Sequence, residues 1–281
     1  MSEAEAEAEA RFNAALALWI VSHAGDRPGV RVIDVAGRRC VVKRRHNTIW
    51  TRSTFFFRYL RSSISAIACL FTLREFPSVR VLLRNGLDDE AERLRQLRAA
   101  GCRVPAILHH EPGVLVLEYV GQDLPYLIRI GTPSERLHWM AAAAADLAQF
   151  HAAGFVHGGA QLRNLMWADG VLSRIDFEEN IGAALSLPLG QAYDVYQMIS
   201  SMAGLRGHEF NRVNRQELCD ALLRAYLEAN PDPAVRLQLR RMARALARVR
   251  RQLGWLLARA PGRDLQGVVH VADALAVMID A

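Results

Sequence analysis

The feature that most constrains the fold is a change of residue pattern near Gly121. Upstream, short runs rich in β-branched residues are separated by turn residues, and 31–37 with 38–43 predict a hairpin that turns at Gly37. Downstream, apolar residues recur at helical spacing over long stretches. A strand-rich part followed by a helical part predicts a two-lobed α+β protein, with a small antiparallel sheet in the N-lobe and a helical C-lobe.

The remaining elements follow from the same patterns. Residues 88–100 begin with acidic side chains and stop at Gly101, which predicts a helix. Strands are expected over 105–108 and 113–120, and a hairpin over 165–176 that turns at 168–170. Helices are expected over 135–153, 193–203, 215–229 and 233–258.

The predicted domain limits are a tail and two lobes. Residues 1–15 are interpreted as a flexible acidic tail, with the start of a surface helix as the alternative for the first ten. The N-lobe is expected over 16–120, with a basic, aromatic insertion over 46–79. The C-lobe is expected over 121–281.

Charge is distributed unevenly along the chain, although the formal net charge is only +6. Residues 38–84 contain eleven Lys or Arg and one acid, and residues 236–263 contain nine Arg and no acid. Such clustering predicts an anionic partner near these segments. The four cysteines lack metal-ligand or redox spacing, which favours reduced thiols in a cytosolic protein.

A lysine and an acid form the first candidate pair. Lys43 ends the apolar strand Cys40-Val-Val-Lys43, and Glu90 lies at the start of the helix that follows. A buried lysine needs an acidic partner to stay charged and in place, so we expect these two side chains to pair. An exposed lysine at the end of a strand is the alternative.

Two further motifs lie in the C-lobe, 157–164 and 174–179. Asn164 and Asp176 are at opposite ends of the predicted hairpin, so both can point to one place. An amide oxygen and a carboxylate are ligands that suit Mg²⁺ bound by substrate phosphates. Each motif alone is weak, and their order along the chain carries the argument.

That order resembles the protein-kinase-like superfamily, and most closely its compact atypical branch of RIO, KEOPS-complex and Kdo/heptose lipopolysaccharide kinases. The resemblance runs from about residue 30 to about residue 205. It rests on Lys43, Glu90, Glu118-Tyr-Val120, the seven-residue step from His157 to Asn164, Ile175-Asp176-Phe177 and Asp194.

The resemblance implies a role for each of these residues. Lys43 would bind ATP phosphates, held by Glu90, and the backbone of the hinge would bind adenine. Asn164 and Asp176 would bind Mg²⁺, Asp194 would support the catalytic loop, and His157 would be structural. The hinge residues are Glu118, Tyr119 and Val120.

Three departures from the family pattern leave two functions open. Gly159 stands where the family has its catalytic aspartate, Glu178 follows Asp-Phe where it has glycine, and no G-x-G-x-x-G precedes Lys43. Gln161 is a polar residue of the same loop, and Glu178 or Glu179 is the candidate substitute base. A Mg²⁺- and ATP-dependent kinase is favoured because phosphoryl transfer depends mostly on positioning and charge neutralisation. The alternative is a nucleotide-binding pseudokinase with a regulatory role.

The acceptor and location follow from the resemblance and the basic segments. The expected acceptor is a hydroxyl on a glycolipid, a lipopolysaccharide-type sugar or a protein. Residues 50–61 combine aromatic and arginine side chains, which favours contact with an anionic membrane surface over nucleic acid. A helix packed on the N-lobe is the alternative for that segment. The expected location is the cytoplasm, with peripheral association at the inner face of the membrane.

Overall fold

The computed structural model describes residues 2–45, 86–178, 184–205, 210, 213–259, 271 and 273–276. These residues form two compact units, which divide between Val120 and Gly121. The first unit comprises 2–45 and 86–120, and the second comprises the described residues from 121 onward. The predicted insertion over 46–79, including 50–61, and Glu179 lie outside the described residues.

The first unit opens with a helix and contains a four-stranded antiparallel sheet. Helix α1 spans Glu3–Ser22, and strands β1 (Gly29–Val35) and β2 (Arg38–Arg44) form a hairpin. Helix α2 (Leu87–Ala99) follows, and then come strands β3 (Ile107–Glu111) and β4 (Val114–Glu118). The strand order is β1-β2-β4-β3, so β2 is an inner strand paired on both sides.

Helix α1 corrects the prediction of a flexible tail over 1–15. A capping box starts it, in which the Ser2 hydroxyl accepts from the Glu5 amide and the Glu5 carboxylate accepts from the Ser2 amide. Phe12, Leu16 and Ile20 recur at intervals of four and are buried in a cluster with sheet residues such as Val42 and Val116. The tail is therefore helical from Glu3, because its distal half packs on the sheet.

The second unit begins with a short strand and two helices. Strand β5 (Gln122–Asp123) is followed by α3 (Leu124–Ile130) and α4 (Pro133–Ala152). A 3₁₀ turn at Leu162–Asn164 leads into the hairpin of β6 (Leu165–Ala168) and β7 (Val171–Arg174). Three long helices follow in the described ranges: α5 (Leu187–Ala203), α6 (Arg215–Ala229) and α7 (Pro233–Arg259).

The core of the second unit lies among its helices. Helix α4 packs against α6, and α5 packs against both α6 and α7. Strand β5 joins the hairpin as a third strand in the order β5-β6-β7. Gly121 precedes β5 with φ 117°, and a Cβ atom there would overlap the Trp167 carbonyl, so only glycine allows this close approach.

The predicted fold class is confirmed: the protein is α+β, with an antiparallel sheet in the first unit and mainly helices in the second. Helix α3 was not predicted, since it is a short segment placed by the Asp123 N-cap and Pro125 in its first turn. None of the helices in the described ranges is both long and apolar enough to cross a bilayer.

Candidate active site

Lys43 and Glu90 form a buried ion pair in the first unit. Lys43 lies on β2 opposite Leu115 of β4 and is 7% exposed, and Glu90 lies on the first turn of α2 and is 0% exposed. The Lys43 ammonium donates to both Glu90 carboxylate oxygens, Oε1 at 2.7 Å and Oε2 at 2.9 Å. The expected pairing of these two side chains is confirmed.

Such a pair is a poor source of stability, because removing two charges from water costs several kcal/mol per ion, roughly what their attraction returns. Its effect is geometric: a flexible lysine is fixed at one position on the sheet. An ammonium group carries three N–H donors, and Glu90 uses two of them. A buried cation that is held in one position despite the cost of desolvation is typical of a functional site.

The predicted hinge residues lie at the end of the first unit. Glu118 is tied to the chain before β3: its amide donates to the Ala106 carbonyl at 2.9 Å, and its Oε2 accepts from the Ala106 amide at 3.2 Å. The Arg39 guanidinium lies over the Tyr119 ring at 4.2 Å. Since these contacts engage side chains, any contact with adenine would come from the backbone of Glu118, Tyr119 and Val120, which stays a prediction.

The turn before Lys43 is tight. The β1–β2 pairing continues to Val35 and Arg38, so only Ala36 (φ 51°) and Gly37 (φ 80°) form the turn. The Gly37 amide donates to the Asp34 carboxylate at 3.0 Å. A two-residue turn is too short to form the glycine-rich loop that covers phosphates in typical kinases.

Asp194 organises the candidate catalytic loop of the second unit. It lies on α5 with 0% exposure. Its carboxylate accepts from the backbone amides of His157 at 2.6 Å and Gly158 at 2.8 Å, and from His151 Nε2 at 3.2 Å. The expectation that Asp194 supports this loop is confirmed.

The proton positions of this network can be worked out from its donors and acceptors. An ionised Asp194 only accepts, so His151 Nε2 carries a proton, and a neutral His151 then accepts at Nδ1 from the Tyr226 hydroxyl at 2.7 Å. Burial, the largest influence, lowers the pKa of His151 below its usual value. Burial alone would raise the pKa of Asp194, but the hydrogen bonds and charge of its neighbours, His151 first, hold it below its usual value.

His157 is structural, as expected. Its Nδ1 accepts from the Gly159 amide at 3.1 Å, so Nε2 donates to the Ile175 carbonyl at 3.1 Å. Its ring stacks on Phe177 with 4.3 Å between centroids. These contacts place His157 under the chain on both sides of Asp176.

Asn164 and Asp176 both lie just beyond the open end of the β6–β7 hairpin, which turns at Asp169 and Gly170. The Ile175 amide donates to the Asn164 carbonyl at 3.0 Å. The Asn164 Nδ2 donates to the Gly159 carbonyl at 2.8 Å, so Oδ1 is the side-chain atom that suits a cation. Asp176 has φ 67°, a sparsely populated backbone conformation that often marks functional positions.

Glu178 and Gln161 differ in their surroundings. A Glu178 carboxylate oxygen lies within 4.8 Å of an Asp176 carboxylate oxygen, a spacing at which both can ligate one metal ion. Gln161 instead donates through Nε2 to Gln197 Oε1 at 3.2 Å, which makes it part of the support of the loop. Of these two predicted residues, the geometry therefore favours Glu178 for a chemical role.

Sequence reasoning missed the polar stripe of α5 apart from Asp194. The Gln197 Nε2 donates to the Gly158 carbonyl at 3.1 Å, and the Ser201 Oγ accepts from the Leu162 amide at 3.0 Å. Gln191 Nε2 donates to the His151 carbonyl at 2.7 Å. The signal was readable as polar residues at helical spacing in an otherwise apolar helix.

Comparison with family models decides the relationship. The model of the RIO domain matches residues 37–184, which is more than half of the chain. The chain belongs to the RIO domain family. The match contains Lys43, Glu90, Asn164 and Asp176, so the predicted protein-kinase-like relationship is confirmed.

Two solved structures of the MAP kinase LmaMPK10 from Leishmania major, one of them a complex, are also similar to the chain at 15% identity. The complex has a TM-score of 0.36, with 91% of this chain and 80% of that chain covered. The other has a TM-score of 0.34, with coverages of 94% and 86%. No curated protein matches the sequence.

Membership of the RIO domain family indicates an atypical kinase, a class of phosphotransferase that generally uses a nucleotide and a metal ion.

Proposed function

We propose that the chain is an ATP- and Mg²⁺-dependent kinase that phosphorylates a hydroxyl group of a glycolipid, a lipopolysaccharide-type sugar or a protein. The observation that carries this proposal is the buried, bidentate Lys43–Glu90 pair within the RIO domain match. Its placement serves phosphate binding better than it serves stability.

The residues of the second unit fit a magnesium–nucleotide complex. Bound Mg²⁺-ATP would supply the transferable phosphoryl group and the charge that neutralises it. Asn164 Oδ1 and the Asp176 carboxylate are hard oxygen ligands, and the hydrogen bond from Asn164 Nδ2 to Gly159 orients the amide for this task.

Because residue 159 is glycine, another residue must act as the general base. Glycine carries no group that can accept the proton of an acceptor hydroxyl, and general base catalysis contributes about 10²–10⁴-fold in typical enzymes. Glu178 is the substitute base that we propose, because it is ionisable and lies beside Asp176. Slow transfer is therefore expected.

The second candidate function is a nucleotide-binding pseudokinase, and Gly159 is the observation that favours it. Binding and turnover separate the two. We expect Mg²⁺-ATP to raise the melting temperature of the protein, and Asp176→Ala to remove the magnesium-dependent part. We expect Lys43→Met to reduce the nucleotide effect without magnesium as well.

Turnover is measured with γ-labelled ATP and a panel of glycolipid, sugar and protein acceptors. Transfer or hydrolysis that is lost in Asp176→Ala supports the kinase. Magnesium-dependent binding without turnover on every acceptor supports the pseudokinase. A melting temperature that millimolar Mg²⁺-ATP leaves unchanged contradicts both functions.

A further inference from the structure

The last long helix, α7, has two opposite faces. Val235, Leu239, Met242 and Ala243 are buried in the core of the second unit, where α7 packs against α5. These apolar residues dock the helix on its own unit. Over 235–246 the apolar face is therefore occupied, and the opposite face is open to a partner.

Arginine fills that opposite face. Four arginines advance by three, four and three residues, which keeps them on one side of an α-helix. All four are exposed, and across the described parts of the chain none of them has an ion-pair partner. We call them the arginine stripe: Arg241, Arg244, Arg248 and Arg251. The stripe is about 15 Å long at the rise of an α-helix.

An ordinary solvated surface mixes charges of both signs. Residues 236–263 contain nine arginines, no acid and no lysine. Arginine differs from lysine in its planar fork of donors, which matches the oxygens of a phosphate group. A line of guanidinium groups along one helix therefore suits a partner whose phosphate groups also lie in a line.

We propose that the arginine stripe binds the phosphodiester backbone of a nucleic acid without sequence preference. A helix of this width fits the groove of a duplex, and a row of cations also follows a single strand. An amphipathic membrane helix, by contrast, buries its apolar face in lipid. Over 235–246 that face packs on the protein core, and Leu237 is the one exposed large apolar side chain over 233–248, where the structure describes every side chain.

The test measures how the affinity of the full chain for a labelled single-stranded RNA, and for a DNA duplex, falls with salt. Four phosphate contacts predict a fall of about 50-fold for the single strand and about 150-fold for the duplex between 50 and 200 mM salt. Replacing the four arginines by alanine should lower the slope of log K against log salt by about 3 to 4.

Two variants control for fold and total charge. Replacing the stripe arginines by lysine keeps the charge and should keep most of the slope. The second variant has the same net charge as the alanine variant, because four exposed arginines elsewhere are replaced by alanine: Arg11, Arg27, Arg103 and Arg224. Its slope should stay close to that of the parent chain. Circular dichroism checks that each variant is folded.

A loss of slope confined to the stripe variant supports the proposal. An equal slope in the stripe variant and the parent overturns it. So does a result in which the stripe variant loses binding to phosphatidylglycerol vesicles but not to either nucleic acid, since the surface would then bind a membrane. Asp176→Ala should bind nucleic acid normally, which separates this proposal from the proposed kinase function.

Discussion

The Lys43 ammonium donates to both oxygens of the Glu90 carboxylate, and the two side chains are 7% and 0% exposed. Strand β2 supplies the cation and helix α2 supplies the anion, so the position of the helix and the position of the cation depend on each other. Loss of one partner leaves an uncompensated charge inside the first unit.

Lys43→Met and Glu90→Gln should each lower the free energy of unfolding by about 3–5 kcal/mol, because removing one partner of a buried pair leaves the charge of the other partner buried and uncompensated. The double variant should lose clearly less than the sum of the two losses. Urea unfolding followed by tryptophan fluorescence measures all three. Glu9→Gln is the control, since the exposed Arg38–Glu9 pair at 3.2 Å contributes about 0–1 kcal/mol. Additive losses would show that the two charges are not coupled.

The stability of the second unit should fall below pH 6.5. Burial lowers the pKa of His151 from 6.5. Just below pH 6.5 the His151 side chain is therefore protonated in the unfolded chain but still neutral in the folded chain. The contribution is fully present above pH 6.5 and is lost as the pH falls towards the lowered pKa, by about 1.4 kcal/mol per pH unit. Asp194 has a lowered pKa as well, so its own contribution is lost only as the pH falls below 3.8.

Urea unfolding at a series of pH values between 4.5 and 7.5 measures this slope, and His151→Gln should flatten it over the same interval. A parent slope that survives the substitution would assign the pH dependence to another group.

Gly159→Asp should increase phosphoryl transfer. Gly158 has φ 86°, whereas Gly159, which is buried, lies outside the left-handed region, so its backbone conformation is one that an aspartate can adopt. If the missing base limits turnover, restoring it should raise the rate by about 10²–10⁴-fold. The assay is ATP turnover with Asp176→Ala added to each chain as the control. A folded Gly159→Asp variant with no gain would show that another step limits turnover.

Phe12→Ala should destabilise the first unit. Phe12 is 4% exposed against the sheet, and truncation of a buried phenylalanine costs about 3–5 kcal/mol. Leu18→Ala on the same helix is the control, because Leu18 is 69% exposed and should change the free energy of unfolding by less than about 0.5 kcal/mol. Equal effects in urea unfolding would mean that α1 is not held by its apolar stripe.

The sequence allowed candidate residues to be proposed where their order along the chain matches a known pattern of motifs. Lys43, Glu90, Asn164 and Asp176 could be proposed because each lies at or near the end of an element with a readable local pattern. The sequence left the start of α1 open between a flexible tail and a helix, because the repeated Glu-Ala pairs carry no apolar face and the packing of Phe12 depends on the distant sheet.

The polar residues of α5 can be seen in the sequence, but the atoms that they bind could not be predicted. Gln191, Gln197 and Ser201 bind backbone atoms 39 or 40 positions earlier, and backbone atoms are not distinguished by residue type. The contact of Gln161 with Gln197 was not predicted for the same reason, since it links two segments that no local pattern connects.

Helix α5 holds the loop around Gly159 through main-chain atoms: the amides of His157, Gly158 and Leu162 and the carbonyl of Gly158. These hydrogen bonds from α5 therefore do not depend on which side chain stands at position 159. The same hydrogen bonds would remain available to the loop if a reactive side chain stood at its centre.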